Sequence, residues 1–193
     1  PIVLNSLTQV QQISNWGGTD DLSGVIYTGY NDKYFCLAAK VKDDVHYDRD
    51  DKNRLYAVDS IQLAFAPQKT KDSKRTELGL ALMNGKPTLV RYSYAGGVSL
   101  MGIPDSALEY DLNKFVDTEY AMTTNGSETI YELKIPWGEL FGPDFRINSV
   151  NSVNFSVLIN DNDGGGRRGW IELSSGIGTV KDASQFVKIP LVK

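Results

Sequence analysis

The sequence predicts an all-β protein, an antiparallel β-sandwich folded as a single domain over residues 1–193. Three observations lead there. Apolar residues recur with period two in short runs, the mark of strands with one buried face. Turn residues stand at the ends of those runs, and no run carries a comparable stripe of helical period. The 193 residues, 41% of them hydrophobic, fall within the range of one domain and suffice for a sizeable core. A sheet with one apolar face must cover it, and a second sheet is the simplest cover.

Each element follows from its local pattern. In "KYFCLAAKVK" Phe35, Leu37, Ala39 and Val41 share one face, and the "NDK" at 31–33 supplies the turn before them. In "SIQLAF" Ile61, Leu63 and Phe65 alternate with Ser60, Gln62 and Ala64. Leu78, Leu80 and Leu82 continue the alternation up to Asn84-Gly85, which joins "ELGLALM" to "KPTLVRYSY". Both central residues of a type I′ turn need positive φ, so this pair predicts a hairpin. "NGS" at 125–127 marks another turn, ahead of the strand holding Tyr131, Leu133 and Ile135. "IPWGEL" is the one expected helical turn, with Pro136 suited to a first helical position. Val153, Phe155, Val157 and Ile159 form a further strand, for about ten in all. Long irregular stretches at 42–59, 95–115 and 161–182 are where ligand contacts are expected.

Composition narrows the function. A net charge of −4 and a pI near 5.0, with basic residues scattered among acids, give no electrostatic footprint for nucleic acid. No window approaches the roughly 18 apolar residues of a membrane span, and nothing at the start reads as a signal peptide. The chain opens at Pro1 without a methionine, as a processed protein or an excised module would. Cys36, the single cysteine, sits in an apolar run and reads as a small buried hydrophobe. His46 is the single histidine, which excludes multi-histidine zinc sites and reads best as a solvated loop residue. Paired carboxylates for hydrolysis are not specified by spacing, and no nucleophile, acid and base set emerges. The expectation is therefore no enzyme.

The densest motif is "NDNDGGGRRGW" at 160–170. It lacks the GxxxxGK[ST] spacing of a phosphate loop and leads into an extended "WIEL". It also lacks the alternate oxygen donors and closing glutamate of an EF-hand. Two readings stay open: a glycine hairpin loop with Arg167 or Arg168 paired to the aspartates, or a metal site using Asp161 and Asp163. The acidic run Asp43, Asp44, Asp48, Asp50 and Asp51 poses the same choice between a solvated loop and structural calcium.

These residues resemble a family. "DKYFCLAAKVKDD", "LYAVDSIQLAF", "YELKIPWGEL", "FSVLINDNDGGGRRGWIEL" and "KDASQFVKIPL", in that order from Asp32 onward, are similar to family 9 carbohydrate-binding modules of secreted bacterial polysaccharide-degrading enzymes and their DOMON-like relatives. The resemblance implies a jelly-roll-like β-sandwich, an extracellular location, structural calcium held by residues such as Asp43, Asp44, Asp161 and Asp163, and sugar binding without catalysis. It implies a partner polysaccharide or oligosaccharide and a catalytic domain, a glycoside hydrolase or polysaccharide lyase, in the same parent chain. The family's two stacking tryptophans correspond to Tyr56 and Val180, and Gln62 replaces an expected acid. A valine cannot offer an aromatic face to a sugar.

Replacement platforms are available. Trp170 serves either as a platform beside Tyr56 or as a core cap; Trp137 and Trp16 read as packing residues; Tyr92 and Tyr94 share a face by alternation. Planar polar groups for sugar hydroxyls are Gln62, Glu77, Arg91, Asn160, Asp161 and Arg168. The competing function is a structural or adhesion sandwich without sugar binding. A haem-binding DOMON domain, which needs a Met and His pair, has only His46 to offer.

Overall fold

The computed structural model describes residues 1–48, 52–95 and 114–191. Asp50, Asp51 and most of the expected 95–115 stretch lie outside the described residues. In chain order the strands are β1 (Ile2–Leu4), β2 (Val10–Gln11), β3 (Leu22–Tyr30), β4 (Tyr34–Asp43), β5 (Ser60–Ala66), β6 (Thr76–Met83), β7 (Lys86–Ser93), β8 (Glu119–Asn125), β9 (Glu128–Pro136), β10 (Ser152–Asp161), β11 (Gly169–Glu172) and β12 (Val187–Pro190), with one short α-helix, α1 (Trp137–Phe141). One antiparallel sheet runs β1-β3-β4-β9-β8. The other runs β2-β11-β10-β5-β6-β7, with β12 paired to β10 beside β11.

Apart from Leu82, which is only half-buried, the period-two residues named from the sequence meet between the sheets. Phe65 of β5 lies 5.0 Å, centroid to centroid, from both Phe35 of β4 and Phe155 of β10. The β6–β7 hairpin turns on Asn84 and Gly85 at φ 50° and 71°, as a type I′ turn requires. Pro136 departs from its expected place. It still pairs with Tyr34 at the end of β9, so it caps α1 with φ −62° and ψ 142°, and the helix starts at Trp137. Trp137 is buried, its Nε1 donating to the Asn31 carbonyl at 2.9 Å.

A solvated outer face is found on the first sheet, where Tyr27, Lys40 and Glu132 are exposed. The second sheet differs, with β5 and β11 buried along their whole length and β10 from Val153 onward. Its outer face carries small or apolar residues that two segments cover. Ile177, Ala183 and Phe186 pack on Ala64, Ala66, Leu158 and Trp170. Leu55, in the 3-10 turn Lys52–Ala57, and Val58 pack on Ala81, Met83 and Val90. The polar residues that matter below lie between these two covers.

Candidate functional site

The ladder register sets out the outer face of the second sheet. Trp170, Asn160, Ser60 and Ala81 form one row, and Glu172, Leu158, Gln62 and Gly79 the next. Asn160 Nδ2 donates to Ser60 Oγ at 2.9 Å and to Gln62 Oε1 at 3.0 Å, while its Oδ1 is buried without a hydrogen-bond partner among the described residues. Glu77 completes the floor and is ion-paired to Lys181 and, at 3.4 Å, to Arg75. Tyr92 lies over Gly79, where an added Cβ would come within 2.9 Å of its ring and hydroxyl. Tyr56, 36% exposed in the 3-10 turn, stands at the rim.

Trp170 takes the core-cap role. It is 1% exposed, and its Nε1 donates to Glu172 Oε2 at 2.7 Å. Gly178 packs so closely that a Cβ there would lie 2.2 Å from the indole Cζ2. The guanidinium of Arg167 sits 4.2 Å from the ring centroid. No open indole face is left for a sugar.

Two expected sugar-contacting arginines are elsewhere. Arg91 shares the inner face with Leu89, pairs with Glu139 at 3.5 Å, and stacks on Phe115 at 4.5 Å and Tyr94 at 5.0 Å. Strand alternation forbids it from joining Tyr92 on the outer face. Tyr94, beyond the strand end, also leaves Tyr92 and bonds the Gly138 carbonyl at 2.9 Å. Arg168 precedes β11 and escapes its alternation. Its Nη1 reaches Asp163 at 2.6 Å, Asp21 at 2.9 Å and Asp161 at 3.2 Å. Asp161 therefore belongs to a carboxylate cluster and not to the outer-face floor.

That cluster gathers the ends of β4 and β10, the start of β3 and the glycine loop. Asp43, Asp161 and Asp163 bring oxygens within 4.8 Å of one another, and so do Asp21, Asp44 and Asp163. Asp161 is fully buried with Oδ1 lacking a hydrogen-bond partner among the described residues, and burial raises its pKa to about 7. Burial also raises the pKa of Asp43 and Asp163, each further raised by neighbouring carboxylates. Close-set hard oxygen donors that resist carrying their charges together fit a divalent cation of the calcium type. Asp48 is apart from the cluster and accepts from the Gly85 amide at 2.9 Å.

Asp21, Asn162 and Arg167 were not singled out from sequence as site residues. Asn162 is fully buried and folds the glycine loop: its Oδ1 accepts from the Gly164 and Gly166 amides at 2.8 and 3.1 Å, and its Nδ2 donates to Ala57 at 2.6 Å. Gly164 and Gly166 take φ of 92° and 105° there. An Asx residue followed by glycines was the available signal. Asp59 accepts from the Asn162 amide at 2.7 Å and from the Tyr47 amide, which ties this loop to the Tyr56 turn. His46 is half-buried beside Asp59, at 3.9 Å, and burial pushes its pKa down.

Residues 3–193 match the family described as carbohydrate family 9 binding domain-like. The chain belongs to that family. Two solved structures of a family 9 carbohydrate-binding module from Caldicellulosiruptor kristjanssonii share the fold. The one in complex with glucose is 14% identical with a TM-score of 0.62, covering 100% of this chain and 91% of that one. The one in complex with cellotriose is 14% identical with a TM-score of 0.58, covering 99% and 89%. At such identity the likeness is one of fold. A search of curated protein sequences gave no match. Among the described residues, no helix of this family 9 chain is long and apolar enough to cross a membrane. Tyr56 and Val180, which the sequence resemblance sets at the stacking positions, are 36% and 59% exposed.

Proposed function

We propose that the chain is a non-catalytic carbohydrate-binding module that tethers an attached secreted enzyme, a bacterial glycoside hydrolase or polysaccharide lyase, to its polysaccharide. The observation that carries this reading is the strip of planar polar groups Gln62, Glu77 and Asn160, bordered by the exposed ring of Tyr56, on a covered sheet face of a family 9 fold. A sugar ring stacks its C–H face on Tyr56 and turns its hydroxyls to the strip, where buried amides and carboxylates are held in fixed orientation by their partners. Tethering works through effective concentration, so modest affinity suffices. Calcium held by Asp43, Asp161 and Asp163, with Asp21 and Asp44 beside them, ties together the ends of β3, β4 and β10 next to the glycine loop.

Titrating the folded protein with plant, algal and microbial oligosaccharides is expected to give saturable binding, weakened about tenfold or more by Tyr56→Ala. Binding that ignores this substitution would remove Tyr56 from the site. A second reading, a structural or adhesion sandwich, draws on the exposed Val180 at the second stacking position and on the burial of Trp170. Silence of a folded protein across the whole panel would put that reading first.

A further inference from the structure

Arg167 and Arg168 are neighbours in sequence and serve opposite sides of the loop. Arg168 is absorbed by three carboxylates. Arg167 turns to the outer face, its guanidinium 4.2 Å from the Trp170 ring centroid and 5.9 Å from that of Tyr56. Its Nε and Nη2 are buried without hydrogen-bond partners among the described residues. Buried guanidinium donors are costly to leave unpaired and ask for an acceptor.

The carboxylates of this face are already engaged. Glu172 accepts from Trp170 Nε1 at 2.7 Å and from Ser175 Oγ at 2.8 Å, and Glu77 is held by Lys181 and Arg75. Among the described residues, three cations, Arg75, Arg167 and Lys181, thus face two carboxylates, while Gln62 in the floor is neutral. Burial lowers the Arg167 pKa to about 10, against Tyr56, Tyr92 and the nearby Glu172, which raise it. Paired N–H groups of one guanidinium form a planar fork matched to the two oxygens of a carboxylate.

We infer that this module takes an acidic sugar, a hexuronate whose carboxylate pairs with the guanidinium of half-buried Arg167 while its ring lies against Tyr56. The inference rests on the sugar-binding reading and names its ligand class. The fixed fork makes Arg167 the residue that separates a uronate from the neutral sugar of the same skeleton.

The test is calorimetric titration with matched pairs, oligogalacturonate against its carboxyl-reduced form and glucuronoxylo-oligosaccharide against neutral xylo-oligosaccharide. The expected result is a preference of about tenfold or more for the acidic member of at least one pair. That preference should fall to near unity in Arg167→Gln and return in part in Arg167→Lys, which restores the charge without the fork. Melting curves for each variant separate lost recognition from lost packing on Trp170. Equal binding of acidic and neutral members, or a preference that survives Arg167→Gln in a folded variant, overturns the inference and leaves sugar binding standing. No binding of either member of any pair, while the broader panel is also silent, overturns both.

Discussion

Trp170→Ala is expected to lower the unfolding free energy by about 3–5 kcal/mol, read from urea denaturation of the isolated chain. The ring is fully enclosed by the outer cover, with Gly178 against the indole and Ile177, Ala183 and Phe186 in the same cluster. Truncation leaves a cavity under that cover and strips Glu172 Oε2 of its donor, so packing loss and an unpaired carboxylate oxygen act together. Against a typical stability of about 5–15 kcal/mol, the loss is large. Trp170→Phe helps to weigh the two causes, since it removes the Nε1–H in full but only part of the buried ring volume. If Trp170→Ala left stability intact and abolished sugar binding, the ring would be a platform after all.

Calcium is expected to raise the melting temperature reversibly, with chelator returning it to the starting value. At calcium one hundred times its dissociation constant, the gain in unfolding free energy is about 2.7 kcal/mol. Asp161 supplies the clearest readout because it is fully buried and has an oxygen without a hydrogen-bond partner. Asp161→Asn should lose the calcium response whether or not the metal-free protein becomes more stable, since one fewer buried carboxylate also relieves repulsion in the cluster. A wild-type melting curve unmoved by millimolar calcium would remove the metal from this account.

The sandwich was legible because its strands obey a period of two over the inward residues, Phe35 to Val41, Ile61 to Phe65 and Val153 to Ile159. That same regularity placed Gln62 and Asn160 on the outward face. It could not say that this face is covered, because the cover comes from 173–186 and the turn near Leu55, whose packing depends on tertiary placement and not on local period. Arg91 was legible as a planar donor but not as an inward one, although its parity with Leu89 already set its side. The two arginines of the glycine loop were the hardest. Alternation counted back from Trp170 assigns Arg168 to the outer face, yet β11 begins only at Gly169, and the Asn162-centred loop reverses the assignment. Asp43, Asp44, Asp161 and Asp163 could be proposed from acid spacing alone, whereas Asp21 is contributed by the β3–β4 pairing that sets Leu22 opposite Asp43.

The most direct test of the account is a backbone amide chemical-shift map of the isotopically labelled protein titrated with whichever oligosaccharide binds it best. The largest shifts are expected at Tyr56, Gln62, Glu77, Asn160 and Arg167, on the outer face of the second sheet. Shifts centred instead on Tyr27, Ala38 and Glu132, which line a surface groove of about 580 Å³ on the first sheet, would contradict it.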